Sequence, residues 1–65
     1  NMMTENHIQK LIISAVDAMK TTEWQWPPAW NTKMKLKFLD DINNWLLERE
    51  LYEQCEILQN LKNEL

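Results

Sequence analysis

The first part of the chain has apolar residues at the period of an amphipathic helix. Between residues 4 and 21 they recur every three or four positions: Ile8, Leu11, Ile12, Ala15, Val16 and Met19. Because an α-helix turns once in about 3.6 residues, this spacing places them all on one face. Thr4 can cap such a helix, and Glu5 in its first turn complements the helix dipole. The pattern therefore predicts a first helix over 4–21.

A segment rich in tryptophan and proline follows over residues 22–31. It contains the run Trp24-Gln25-Trp26-Pro27-Pro28-Ala29-Trp30. Since proline pushes the residue before it towards extended geometry, this run predicts a loop. Two interpretations of its tryptophans remain open. They fold over the helices and fill the core, or they form an exposed platform for bases or for a protein partner.

After the loop, apolar residues follow a helical period in two runs with a break between them. The runs are Phe38, Leu39, Ile42, Trp45 and Leu46, then Leu51, Cys55, Leu58, Leu61 and Leu65. Across the break, the five-residue step from 46 to 51 turns the apolar face by about 140°. We therefore predict an antiparallel helical hairpin with arms over 32–48 and 50–64, capped at Asn31 or Thr32. Because neither Gly nor Pro stands at the break, one bent helix used in an oligomer remains the alternative.

These elements predict an all-α fold. We expect a three-helix mini-domain in which helix 1 and the Trp/Pro-rich loop pack on the C-terminal antiparallel hairpin. The chain has no Gly, which disfavours the tight turns of β-hairpins and removes phosphate-binding glycine loops. Its 65 residues make a single domain, 1–65, whose stability we expect to be roughly 3 to 5 kcal/mol.

The charges are unevenly distributed along the chain. The net charge of −3 disfavours general nucleic-acid binding, but Lys33, Lys35 and Lys37 form a compact basic spot. The spot is either a solvated helix face or a site for an anionic partner. In the second case the lysines would contact phosphates and Trp24 and Trp26 would stack on bases, giving weak single-stranded nucleic-acid binding.

The sequence offers little catalytic or metal-binding chemistry. His7, Ser14 and Cys55 are isolated from one another, and no cluster has the spacing of zinc ligands. We therefore expect a non-enzymatic protein without a cofactor. A lone cysteine indicates a reducing, cytoplasmic location. The longest apolar run, Leu11-Ile12-Ile13, is too short to span a bilayer, and no signal-peptide pattern opens the chain.

The predicted hairpin resembles the UVR motif of UvrB and UvrC, which also occurs in small bacterial and phage proteins. The residues that match in type and spacing are Glu50, Tyr52, Glu53, Cys55, Leu58 and Leu65. Glu56 stands where the motif has its second alanine, and Gln59-Asn60 replace its Arg-Asp pair. The Lys35-x-Lys37-Phe38-Leu39 segment also resembles small phage proteins such as the companion encoded beside the recombination helicase UvsW.

The resemblance implies a protein-interaction module, in which one helical hairpin pairs with another or with itself. It implies Tyr52, Cys55, Leu58, Leu61 and Glu53 as the residues that contact the partner. It also implies an accessory role in phage or bacterial DNA recombination or repair.

Overall fold

The computed structural model describes the backbone of residues 2–65 and the side chains of residues 4–65. Its helices are α1 over Met2–Ala18, α2 over Thr32–Glu48 and α3 over Tyr52–Asn63. The predicted all-α, three-helix fold is confirmed, with the Trp/Pro-rich loop packed on the α2–α3 hairpin. No helix among the described residues combines the length and the apolar composition needed to cross a lipid bilayer.

The ends of α1 differ from those that the periodicity predicts. Since α1 begins at Met2, Thr4 lies inside the helix rather than at its cap. At the other end the helix stops at Ala18. There the Thr21 hydroxyl donates a hydrogen bond to the Ala18 carbonyl at 2.8 Å, and the Met19 N–H donates to Val16 at 3.0 Å. These turn bonds satisfy carbonyls that a longer helix would otherwise use.

The start of α2 is fixed by a side-chain cap. Asn31 has an extended backbone, with φ −88° and ψ 175°, and its Oδ1 accepts the Met34 N–H at 2.9 Å. This bond satisfies one of the N–H groups that has no partner in the first turn of a helix. Asn31, rather than Thr32, is therefore the cap.

A Schellman turn reverses the chain between α2 and α3. The Leu51 N–H donates to the Leu46 carbonyl at 3.0 Å, and the Glu50 N–H donates to Leu47 at 3.1 Å. Both bonds are those of a Schellman motif. Glu50 adopts the left-handed conformation that the motif requires, with φ 57°. The chain therefore forms the hairpin and not one bent helix. Its second arm begins at Tyr52, because Glu50 and Leu51 belong to the turn.

Glu50→Gly is expected to stabilise the protein. A residue with a Cβ is strained in the left-handed region, whereas glycine adopts it freely and is the usual residue at this position. We expect the free energy of unfolding to rise by about 0.5 to 1 kcal/mol and the melting temperature by several degrees. Thermal unfolding followed by circular dichroism measures both.

Glu50→Gln and Glu48→Gly are the matched controls for this prediction. The first removes the same charge without relieving the backbone, and should leave stability nearly unchanged. The second places glycine at the last residue of α2, where the backbone is still helical, and we expect a loss below about 1 kcal/mol. A decrease in stability for Glu50→Gly would contradict the strained turn.

The helices run up, down and up. α1 begins next to the hairpin turn, because the Glu5 carboxylate contacts Arg49, which directly follows α2. Farther along α1, Asp17 meets Gln54 of α3. α1 is therefore parallel to α3 and antiparallel to α2. The Trp/Pro-rich loop closes the opposite end of the domain, where it returns the chain from α1 to α2.

The core lies between the three helices. It is built from five buried apolar residues, two from α1 and its end, two from α2 and one from α3: Val16, Met19, Leu39, Leu46 and Leu58. Trp24 and Trp26 of the loop pack against this cluster, and Phe38 of α2 does so next to them. The tryptophans therefore cover one end of the core, as the first interpretation predicts.

Arg49 connects α1 to the hairpin turn. Its guanidinium bonds Glu5 at 2.9 to 3.0 Å, donates to the Trp45 carbonyl at 3.0 Å and lies 3.8 Å from the centroid of the Trp45 ring. Only about a quarter of the Arg49 side chain is exposed, at 25%. This position lets one cation satisfy a carboxylate, a carbonyl and an aromatic face at the same time.

Candidate functional site

The outer side of α3 presents an exposed aromatic residue. Gln54 marks the inner side, because its Nε2 donates to Asp17 Oδ1 of α1 at 3.2 Å. Tyr52 precedes Gln54 by two residues, which places it about 200° away around the helix axis. Tyr52 therefore points away from α1, and 62% of its surface is exposed.

Leu47 extends this surface onto α2. It follows Asp40 by seven residues, or about two turns, so both side chains lie on the same side of the helix. That side borders α3, since Asp40 Oδ1 lies 3.2 Å from Lys62 Nζ. Leu47 is 44% exposed. Leu47, Tyr52 and Cys55 together form a surface that we call the hairpin face.

Away from the turn, the hairpin face continues with polar groups that are already paired. Asp40, Asn43, Gln59 and Lys62 line a shallow depression together. Asp40 and Lys62 neutralise each other, and the Gln59 amide donates to Asn63 Oδ1 at 3.0 Å. A partner could therefore cover this region without burying an unpaired charge.

Cys55 lies on the hairpin face as a half-buried thiol. Burial raises the pKa of the Cys55 thiol above its ordinary value, because a low-dielectric environment disfavours the thiolate. The thiol therefore stays protonated at neutral pH and offers an apolar contact. Among the side chains of residues 4–65, no group of three or more possible ligands is placed to hold a metal ion.

The five predicted partner contacts do not share one side of α3. Tyr52 and Cys55 are on the hairpin face, whereas Leu58 is buried in the core with 2% exposure. Leu61 borders a cavity of about 530 Å³ beside Trp24 and Trp26, and Glu53 borders a second cleft near Asp17. Each step of three residues rotates the position by about 60°, so the series 52, 55, 58 and 61 spreads over half of the helix surface.

Comparisons of the chain with models of known protein families, with curated proteins and with solved structures find no match. The resemblance to the UVR motif stays a prediction. What the chain can bind has to be inferred from its own exposed residues, and the hairpin face and the basic spot are the two candidate surfaces.

The residues of the nucleic-acid alternative are mostly engaged with their own chain. Trp26 packs edge-on against Trp24 and Phe38, with ring centroids 4.7 and 5.9 Å apart. Lys35 Nζ lies 5.8 Å from the centroid of the Trp26 ring, and Lys37 bonds Asp41 at 2.9 Å. Lys33 is exposed. Base stacking on these rings would compete with packing inside the protein, so binding through them remains a separate prediction.

Sequence reasoning missed one residue of the hairpin face, Leu47, and the structural role of Arg49. Leu47 follows Leu46, the last residue of the apolar stripe of α2. Because Leu47 lies beside that stripe and not on it, the helical period alone indicates that Leu47 is exposed. Arg49 was assigned no role. Its contact with Glu5 joins residues 44 positions apart, and no local pattern predicts such a pair.

Proposed function

We propose that the protein is a non-enzymatic interaction module that docks a helical segment of another protein on its hairpin face. The observation that carries this proposal is the exposure of Tyr52, a large aromatic residue in the first turn of α3, together with that of Leu47 on the other side of the hairpin turn. Tyrosine is enriched among the residues that dominate binding energy, because it combines a large apolar area with one hydroxyl.

The hairpin face is held in place before any partner arrives. The turn between Leu47 and Tyr52 is fixed by its two Schellman hydrogen bonds, and Leu46 beneath it is fully buried, at 0% exposure. A partner would then order few side chains on binding, which lowers the entropic cost of association. Its complementary surface would be apolar at the centre.

Acidic residues surround the turn, so we expect basic residues at the edge of the partner's contact surface. Glu48 is exposed, and Glu50 and Glu53 follow it along the turn and the first turn of α3. Lys or Arg residues at the edge of a docked helix would raise the rate of association and favour one orientation. We propose a cytoplasmic accessory role, with DNA recombination or repair as the setting that the UVR resemblance suggests.

Tyr52→Ala is expected to weaken partner binding by about 30-fold, the effect of losing one strong interface contact. Tyr52→Phe keeps the ring and should retain most of the affinity. The measurement is affinity capture from an extract of the native host, followed by titration of each captured protein against the variants. Folding is checked by circular dichroism and should be unchanged, since Tyr52 is mostly exposed.

Two outcomes would contradict the proposal. One is a set of captured proteins that binds Tyr52→Ala as tightly as the original chain. The other is binding that is lost with Lys33→Ala and retained with Tyr52→Ala. In the second case, quenching of tryptophan fluorescence by a single-stranded oligonucleotide at low salt would support the nucleic-acid alternative.

A further inference from the structure

A groove runs along α3, where the end of α1 and the Trp/Pro-rich loop pack beside that helix. It consists of the cavity of about 530 Å³ beside Trp24 and of the second cleft near Asp17, which has a volume of about 320 Å³. The two adjoin each other, because Lys20, Ile57 and Asn60 line both. We call them together the α3 groove. Each volume lies in the range of pockets that hold ligands in proteins.

One side of α3 forms a wall of this groove along its whole length. The α3 residues that line it are Glu53, Glu56, Ile57, Asn60, Leu61 and Glu64. They follow one another at alternating steps of three and one, so the helical period places them on one side. Ile57, in the middle of that side, lies about 140° around the helix axis from Tyr52. The α3 groove is therefore a different surface from the hairpin face.

The end of the α3 groove beside the loop is apolar. Met19 is buried there, with 5% exposure, and the half-buried side chains of Ile57 and Leu61 form the wall on α3. Trp24 and Trp26 form the opposite wall, with their rings edge-on and the ring centroids 4.7 Å apart. An apolar side chain that entered this end would leave water and contact two aromatic rings.

The other end of the α3 groove is acidic. Asp17, Glu53 and Glu56 line it, and Asp17 is held in place by the buried Gln54 amide, which donates to Asp17 Oδ1 at 3.2 Å. The carboxylates of this end remain available for a ligand. The ion pairs that join described residues involve other acids, namely Glu5, Asp40, Asp41 and Glu48.

Charge determines what this groove can hold. Among the described residues that line it, four carboxylates stand against one ammonium group, that of Lys20. α1 and α3 also end beside it, at Ala18 and Asn63, and the C-terminus of a helix carries partial negative charge. Such a site attracts cations and repels nucleic-acid phosphates, anionic lipids and a second copy of this chain, whose net charge is −3.

We infer that the α3 groove binds a basic segment of another protein in extended conformation. One apolar side chain of that segment enters between Trp24 and Leu61, and Lys or Arg side chains lie over Glu53 and Glu56. This site is separate from the docking surface of the proposed function.

The length of the groove sets the spacing of these side chains. Along the axis of α3, Glu56 lies about 7.5 Å and Glu53 about 12 Å from Leu61. Alternate residues of an extended chain point the same way, and they lie about 6.6 and 13 Å from the first residue at the second and fourth positions after it. The pattern that fits is therefore apolar-x-basic-x-basic.

The rim of the groove favours an extended segment over a helix. Gln25 and Asn60 are exposed at the apolar end, and a side-chain amide both donates and accepts hydrogen bonds. The main chain of an extended segment has free N–H and C=O groups that need such partners, whereas those of a helix bond within the helix.

The peptides Leu-Ser-Arg-Ser-Arg and Arg-Ser-Arg-Ser-Leu, acetylated and amidated, test the inference in both chain directions. Each is titrated at low salt into the ¹⁵N-labelled protein and followed by NMR. We expect at least one of them to shift the indole N–H signals of Trp24 and Trp26. The signal of Trp45, which packs on Arg49 away from the groove, should stay in place.

Two control peptides separate the contributions of charge and of the apolar side chain. Leu-Ser-Glu-Ser-Glu and Ser-Ser-Arg-Ser-Arg should each bind about 10-fold more weakly or not at all. The inference would be overturned by absence of any shift at millimolar peptide, by equal binding of the Glu peptide, or by a Trp45 shift as large as those of Trp24 and Trp26.

Substitutions within the groove should change affinity in opposite directions. Glu56→Gln should weaken binding of the basic peptide about 3-fold, whereas Lys20→Gln should strengthen it about 3-fold by removing a like charge. A gain in affinity cannot come from damage to the fold. Asp41→Asn is the matched control, because it removes one negative charge from α2, outside the groove, and should leave affinity unchanged.

Weaker binding by Lys20→Gln, or an equal effect of Asp41→Asn and Glu56→Gln, would contradict the assignment of the groove. These readouts use a defined peptide and the indole groups of the groove. Docking on the hairpin face is measured separately, through Tyr52 variants and captured proteins, so failure here would leave it unaffected.

Discussion

Leu46→Ala is expected to unfold a large fraction of the protein at room temperature. Leu46 is fully buried, and its carbonyl accepts the hydrogen bond that closes the hairpin turn. Truncation removes apolar contact and leaves a cavity, with an expected loss of about 3 kcal/mol. Since a domain of this size has roughly 3 to 5 kcal/mol of stability in total, little would remain. Urea unfolding followed by circular dichroism measures the loss.

Leu47→Ala is the control that separates burial from residue type. Leu47 is the neighbouring leucine on the same helix and is 44% exposed, so its truncation leaves no enclosed cavity. We expect a change below about 1 kcal/mol, because alanine also favours the helix slightly. Equal losses for the two variants would contradict the burial of Leu46 and the exposure of Leu47 in α2.

Trp26→Ala is expected to detach the Trp/Pro-rich loop from the hairpin. Trp26 packs on the core and also contacts Trp24, Trp30 and Phe38, with ring centroids 4.7 to 5.9 Å apart. Truncation of a fully buried aromatic residue lowers the free energy of unfolding by roughly 3 to 5 kcal/mol. Trp26 is half-buried, and we expect about 2 to 3 kcal/mol, with a red shift in the emission of the remaining tryptophans.

Trp30→Ala is the matched control within the same loop. Trp30 contacts Trp26 and Phe38, at 5.8 and 5.4 Å between ring centroids, from the outer side of the aromatic cluster. Its truncation should lower the free energy of unfolding by about 1 kcal/mol, the contribution expected from its aromatic contacts. A larger loss of stability for Trp30→Ala than for Trp26→Ala would show that Trp30, and not Trp26, anchors the loop.

The fold was predictable from the sequence because its signals are local. The change of apolar phase between Leu46 and Leu51 is enough to predict the hairpin, and the prolines are enough to end the helical region before α2. The turn residue was less predictable. Glu50 has no intrinsic preference for a left-handed backbone, and the two Schellman hydrogen bonds force it there. The backbone conformation is set by the geometry of the turn and not by the residue.

The functional surfaces were less predictable, because exposure depends on which helices meet. The apolar pattern of α1 was interpreted as one face, yet the structure divides it into a covered half and an exposed half. Ile12, Val16 and Met19 pack in the core, whereas Ile8, Leu11 and Ala15 are exposed. Similarly, Tyr52 and Leu58 share a spacing along α3, but one is exposed and the other is in the core. Only the packing of α1 and α2 around α3 decides between them.

The connections between the helices also have a consequence for the order of folding. α2 and α3 are joined by a turn of three residues, whereas a segment of 13 residues, 19–31, separates α1 from α2. Since closing a short loop loses less entropy than closing a long one, the hairpin should form first and α1 should dock afterwards. On unfolding, α1 would then lose its core contacts through Ile12 and Val16 first, while the hairpin persists.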